Sequence, residues 1–155
     1  MWNSDMPYYI KKKKSSSKSK KSSTDYVKKL DAVFSKYIRL RDAMPNGMTK
    51  CISCGHIKPF SDMDCGHFFS RSRMATRWDE RNCHAECAYC NRFRADHLHD
   101  YETNLKRMIG ENEFNKLEML ARSTRHWTET ELKAMIDYYT RKAKLLSSEK
   151  GIKVK

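Results

Sequence analysis

Two short segments constrain this chain most: Cys51-Ile-Ser-Cys54 and Cys87-Ala-Tyr-Cys90, both of C-x-x-C form. They bracket residues 55–86, and the whole stretch 51–97 contains every cysteine of the chain but little regular hydrophobic period. A segment that irregular buries too little apolar surface to fold by itself and needs a staple. A C-x-x-C turn lets both thiolates face one ion, and two such turns complete a tetrahedral four-thiolate zinc site. With no open coordination position, that Zn²⁺ is structural, and its binding energy is largely folding energy. A redox C-x-x-C would need only one pair and a thioredoxin-like βαβ pattern, which is absent. Iron–sulfur clusters also take four cysteines, but the tight clustering of ferredoxins is missing. Cys65 and Cys83 remain, read as small apolar residues packed near the zinc lobe. Spacing alone also admits Cys83 or His84 in place of one of the four ligands.

Helices flank this segment. Tyr26, Leu30, Val33, Phe34, Tyr37 and Ile38 recur at three- and four-residue steps, with Thr24 as N-cap and Asp25 in the first turn. Pro45 and Asn46-Gly47 break that helix. Beyond the cysteines, Tyr101, Leu105, Met108 and Ile109 form an apolar face ended by Gly110, and Phe114, Leu117 and Leu120 form another. Thr128 and Glu131 fit a capping box. Leu132, Met135, Ile136, Tyr139, Ala143 and Leu146 continue a longer helix. These stripes read as core packed around the middle segment.

The formal net charge of +13 points to a polyanionic partner, most often nucleic acid. Residues 11–23, KKKKSSSKSKKSS, are basic and low-complexity, so residues 1–23 are expected to form a disordered arm whose lysines contact phosphates non-specifically. No apolar run is long enough for a membrane helix, and the polar opening predicts no secretory signal. The expected setting is a reducing cytoplasm, where six cysteines argue for metal or catalysis over disulfides.

Between the knuckles lie Asp64-Cys-Gly-His67-Phe-Phe-Ser-Arg71 and Arg81-Asn82-Cys-His84-Ala-Glu-Cys87. The order is C-x-x-C, D-x-G-H, N-x-H, C-x-x-C-N. It resembles the HNH endonucleases of the ββα-metal class with a zinc-stapled, treble-clef-like frame. Within that class it is most similar to the lambdoid phage NinG (Rap) recombination proteins, which act on branched recombination DNA. It is also similar to the phage recombination endonuclease VII group, which has both knuckles and an Asn after the last cysteine. The resemblance covers roughly residues 24–146. It implies an α+β fold: a small zinc-stapled treble-clef/ββα-metal core over 50–97, a helix over 24–41 and helices over 100–146, within one nuclease domain spanning 24–148. It places the protein in the cytoplasm of a bacterial host, with branched or Holliday-junction-like DNA as partner. Paired nicks across a junction imply a homodimer, since two sites must be related by symmetry.

A nuclease must activate water and neutralise charge developing on the phosphate and leaving oxygen. A neutral imidazole near pH 7 takes the proton, and a hard cation such as Mg²⁺ or Mn²⁺ on oxygen ligands stabilises the charge. His67 is the expected general base by its motif position. Asp64 and Asn91 are the expected oxygen ligands, and whether Asp64, His67 or both reach the cation stays open. By resemblance Asn91 is the motif's third letter, a metal ligand on the helix starting at the second knuckle. Asn82 is its middle letter, orienting the catalytic loop and the histidine. Many HNH enzymes carry a metal-binding acid immediately before the base, where this chain has Gly66. His84 reads as a support for the site, a phosphate contact or a structural histidine. Arg71, Arg73, Arg77, Arg92 and Arg94 are expected collectively to contact the DNA backbone, and Asp96, His97 and His99 are further possible metal contacts. A zinc-stapled DNA-binding protein without chemistry would explain the charge and knuckles equally well, but not the ordered motif letters. An RNA partner is compatible with the charge, although no RNP-like aromatic signature is present.

Overall fold

The computed structural model describes residues 22–153. The lysine-rich arm expected over residues 1–23 lies almost entirely outside them. Helix α1 spans Ser23–Asp42. Its cap lies earlier than Thr24: the Asp25 carboxylate accepts the Ser22 amide at 3.0 Å, which satisfies one of the donors a helix N-terminus leaves open. Two antiparallel hairpins follow, β1 (Met48–Lys50) with β2 (Ile57–Pro59) and β3 (Met63–His67) with β4 (Cys83–Cys87). The chain then enters the short helix α2 (Ala88–Arg92) and the longer helices α3 (His97–Ile109), α4 (Glu111–Ala121) and α5 (Glu129–Lys150). The fold is mixed α+β with two small sheets. The C-terminal helices thus begin three residues before the expected 100 and end beyond 146.

The apolar stripes read from the sequence become two of the three cores. Leu30, Phe34, Tyr37 and Ile38 of α1 bury against Leu132, Ile136, Tyr139 and Ala143 of α5, together with Cys65, Trp78 and Cys83. The Phe34 ring meets Tyr139 edge-on at 4.8 Å, a favoured aromatic geometry. Tyr101, Leu105, Phe114 and Leu117 bury with Ile52 on the other side of the sheet. Met108, expected on that face, is instead exposed. Gly110 ends α3 with φ +81°, a left-handed backbone that costs glycine nothing. The capping box at the start of α5 forms as expected: Glu131 donates its amide to Thr128 Oγ1 at 3.2 Å and accepts the Thr128 amide at 2.8 Å.

Helix α1 fixes the β3–β4 hairpin. Asp42 accepts the Ala85 amide of β4 at 2.7 Å, and Arg41 donates to the carbonyls of Glu80 and Cys83, each at 2.8 Å. From α5, the Lys150 ammonium donates to the carbonyls of Leu40, Arg41 and Ala43, the acceptors a helix C-terminus leaves unsatisfied. Both long helices therefore hold the hairpin that carries the motif residues.

Candidate functional site

The cysteine cluster comes from three elements. Cys51 and Cys54 occupy the β1–β2 turn, Cys87 is the N-cap of α2, and Cys90 lies one turn into it. All four sulfurs lie within 4.8 Å of one another. Zinc–sulfur bonds of about 2.3 Å in a tetrahedron give edges of about 3.8 Å, and Cys54 Sγ and Cys87 Sγ are 3.8 Å apart. The Cys87 amide donates to Cys51 Sγ at 3.3 Å, a bond that stabilises a thiolate. Burial pushes the Cys51 and Cys90 thiols up. Four thiolates packed this closely therefore need a cation, and the cluster can hold a metal such as zinc. Its position at the start of α2 brings Cys90 and the adjacent Asn91 against the start of β3.

Strand alternation separates the remaining motif residues onto two faces of β3–β4. On one face the Asp64 carboxylate accepts from Asn91 Nδ2 at 2.9 Å and from Arg92 Nε and Nη2 at 2.7 and 2.6 Å. Burial raises the Asp64 pKa, but Arg92 and Asn91 outweigh it, and the carboxyl sits below its ordinary range. The two expected oxygen ligands are thus together.

On the other face His67 lies beside Cys65 and Cys83, the three ligand atoms within 4.8 Å. Cys65 and Cys83, read first as packing, thus form a second cluster around the expected base. The hairpin does not bring His67 to Asp64, so a shared cation position for His67, Asp64 and Asn91 is not assembled. His67 Nδ1 lies 3.1 Å from the Cys65 carbonyl oxygen and Nε2 lies 3.0 Å from that of Arg77. Burial, reinforced by Arg71, lowers the His67 pKa and favours the neutral ring, which can donate to only one of the two carbonyls. A recess of about 300 Å³ opens beside it, lined by Lys28, Asp31, Ser35 and Arg71 among others.

Asn82 is fully buried and ties the β3–β4 loop together. Its Oδ1 accepts from the Phe69 amide at 2.7 Å, and its Nδ2 donates to the carbonyls of Phe69 and Thr76, each at 3.0 Å. The structure engages several of the expected DNA contacts in internal interactions. His84 is buried under Tyr101, its ring Nδ1 3.4 Å from the phenol oxygen, and burial followed by the charge of Arg41 lowers its pKa to about 4. Arg77 forms a two-point ion pair with Asp31, at 3.0 and 2.6 Å, and so braces the loop against α1. Arg94 pairs with Asp96 and Asp100. Arg71 and Arg73 are exposed, and Arg73 donates once, to the Ala121 carbonyl.

Glu86, in β4, carries a fully buried carboxylate that the sequence reading did not single out. Strand periodicity alone places it on the Asp64 face but gives no signal that its charge is buried. Among the described residues no helix is long and apolar enough to cross a membrane.

The family model described as "Bacteriophage Lambda NinG protein" matches residues 8–149. The chain is 30% identical over 129 residues to the "Protein ninG" of Escherichia phage 933W and to that of Escherichia phage lambda. It is 30% identical over 128 residues to that of Salmonella phage P22. Each match covers 81% of this chain, and the chain spans about 60% of the length of these relatives. No solved structure matches significantly.

Proposed function

The chain belongs to the NinG family of phage proteins, and on that premise we propose that it is a metal-dependent HNH endonuclease acting on branched DNA in the host cytoplasm. The observation that carries this reading is the unit β3–β4–α2. The buried Asn82 clamps the loop after His67, and the cysteine cluster starts the helix that sets Asn91 against Asp64. In this reading the cluster holds a structural Zn²⁺ and the frame is a zinc-stapled ββα-metal core. Asp64 and Asn91 would hold a second cation, Mg²⁺ or Mn²⁺, which would supply charge stabilisation at the phosphate backbone. Because they lie on the face of β3–β4 opposite His67, joint action on one phosphate requires the hairpin to rearrange as DNA binds.

The remaining work falls to the chain's own groups. The Cys65 carbonyl holds His67 Nδ1–H, which leaves Nε2 as the proton acceptor once the Arg77 carbonyl moves aside. Such a backbone bond selects the tautomer a general base needs. Arg92 already grips Asp64, and an arriving phosphate competes for the same guanidinium, which frees Asp64 as the backbone binds. Arg71 and Lys28 at the His67 recess add positive charge for the phosphates.

The test is cleavage of four-way junction, flap, duplex and single-stranded DNA with Mg²⁺ or Mn²⁺. His67→Ala is expected to keep fold and DNA binding and to lose about 10²-fold or more in rate, the usual contribution of a general base. Equal cutting by His67→Ala would show that the base is another group. A second reading is a zinc-stapled DNA-binding protein without chemistry. It draws support from the closed Arg92–Asp64 pair and from the two carbonyls against His67. Tight DNA binding with no cleavage on any substrate or metal would favour it.

A further inference from the structure

His97 opens α3, six positions after Asn91, and lies on the same face of β3–β4 as Asp64. Its Nδ1 is 2.7 Å from Glu86 Oε1, an oxygen that also accepts from Ser53 Oγ at 2.5 Å. Glu86 is fully buried, and its second oxygen, Oε2, has no hydrogen-bond partner. A buried carboxylate oxygen without a partner is costly, and a native structure keeps one only for a reason. That carboxylate packs directly against Gly66. A Cβ built there would stand 2.8 Å from Glu86 Cβ and 3.2 Å from its Cδ, with Oε2 closer still. The Glu86 carboxylate therefore fills the space that a side chain at position 66 would take.

The pairing of His97 with Glu86 has a second consequence. A histidine that ligates a metal usually donates its other ring N–H to a carboxylate, which fixes the tautomer and aims the free nitrogen. His97 has that arrangement: Nδ1 is committed to Glu86, while Nε2 forms no hydrogen bond among the described residues and the side chain is 17% exposed. Asp64 and Glu86 are direct partners in the β3–β4 ladder, so their side chains are neighbours on one face. The pair Asp64–Asn91 and the pair Glu86–His97 thus stand side by side. Asn91 commits its amide nitrogen to Asp64 and leaves Oδ1 without a partner among the described residues.

We propose that His97 Nε2, oriented by the buried Glu86, is a ligand of the divalent cation held on the Asp64–Asn91 face. This rests on the nuclease reading only in calling that cation catalytic. Water and a phosphate oxygen would complete the shell, as is usual for Mg²⁺ and Mn²⁺.

The test uses the zinc-loaded full chain with Mn²⁺ as the probe. Binding is read from loss of the free-ion electron paramagnetic resonance signal, and the ligand from the ¹⁴N modulation of bound Mn²⁺. The parent chain is expected to bind Mn²⁺ with one imidazole nitrogen in its modulation. His97→Ala should abolish that modulation and weaken Mn²⁺ binding at least about tenfold, and Glu86→Gln should weaken it about tenfold, the cost typical of losing an orienting partner. Zinc content and circular dichroism serve as the folding control. The proposal is overturned if the parent binds Mn²⁺ with no imidazole nitrogen, a measurement that needs no variant. It is also overturned if His97→Ala keeps the modulation and the affinity, since another histidine is then the ligand. Mn²⁺ bound through His97 with no cleavage of any DNA would sink the nuclease reading and leave this site standing. Cleavage with His97 absent from the Mn²⁺ shell would do the reverse.

Discussion

Replacing Gly66 with alanine tests the close approach of Glu86 directly. The new methyl would meet Glu86 Cβ at 2.8 Å and Cδ at 3.2 Å, distances at which the fully buried glutamate must move. Moving it breaks the bonds that Oε1 accepts from Ser53 and from His97. Overpacking of this kind costs about 1–3 kcal/mol, and each hydrogen bond to a charged group contributes about 1.5–3 kcal/mol. The low end of each range together gives roughly 4 kcal/mol. With about 2.1 cal/mol/K of unfolding entropy per residue over ~130 residues, the midpoint should fall by roughly 15 °C. The assay is urea and thermal unfolding of zinc-saturated protein, parent against Gly66→Ala. A double variant, Gly66→Ala with Glu86→Gly, removes the clashing atoms and should be more stable than the two single effects added together. A loss below about 1 kcal/mol in Gly66→Ala, or strict additivity in the pair, would refute the reasoning.

The other expectations concern the metal cluster and acid stability. Cys90→Ser should lose zinc and cooperative unfolding, because metal binding and folding are one event there. Asn91→Ala should keep zinc and fold while Mn²⁺ binding weakens; an Asn91→Ala chain that lost zinc would mean that Asn91 belongs to the zinc lobe. His84 takes a proton at about 6.5 when unfolded but only at about 4 when folded. The unfolded chain therefore binds more protons between those values, and stability falls as pH drops through that window. By pH 5 the loss should be about 2 kcal/mol. Urea unfolding of parent and His84→Gln at pH 7.5, 6 and 5 should show the smaller acid loss in His84→Gln, and equal losses would exclude His84 as the cause.

The two C-x-x-C turns, the α1 and α5 stripes, the Thr128 cap and the stop at Gly110 were all legible in the sequence, because each is set by residues a few positions apart. Asp64 and Asn91 were singled out as oxygen ligands by the motif order and the family resemblance, and the hydrogen bond between them came from the fold. The motif order also pointed to Asn82 as the clamp of the loop. What the sequence left undecided depends on partners far along the chain. Arg77 reads as a phosphate contact until Asp31, 46 positions earlier, takes both its arms. His84 reads equally as a phosphate contact, a support for the site or a structural histidine until Tyr101 covers it. Strand alternation puts His67 opposite Asp64, although the two are only three residues apart. Glu86 is an ordinary strand glutamate in the sequence, and only packing against Gly66, Ser53 and His97 makes it a buried charge. Local pattern fixed the elements and the cysteine cluster. The tertiary structure decided which charged groups face one another, because burial and long-range pairing, not spacing, set the cost of each charge.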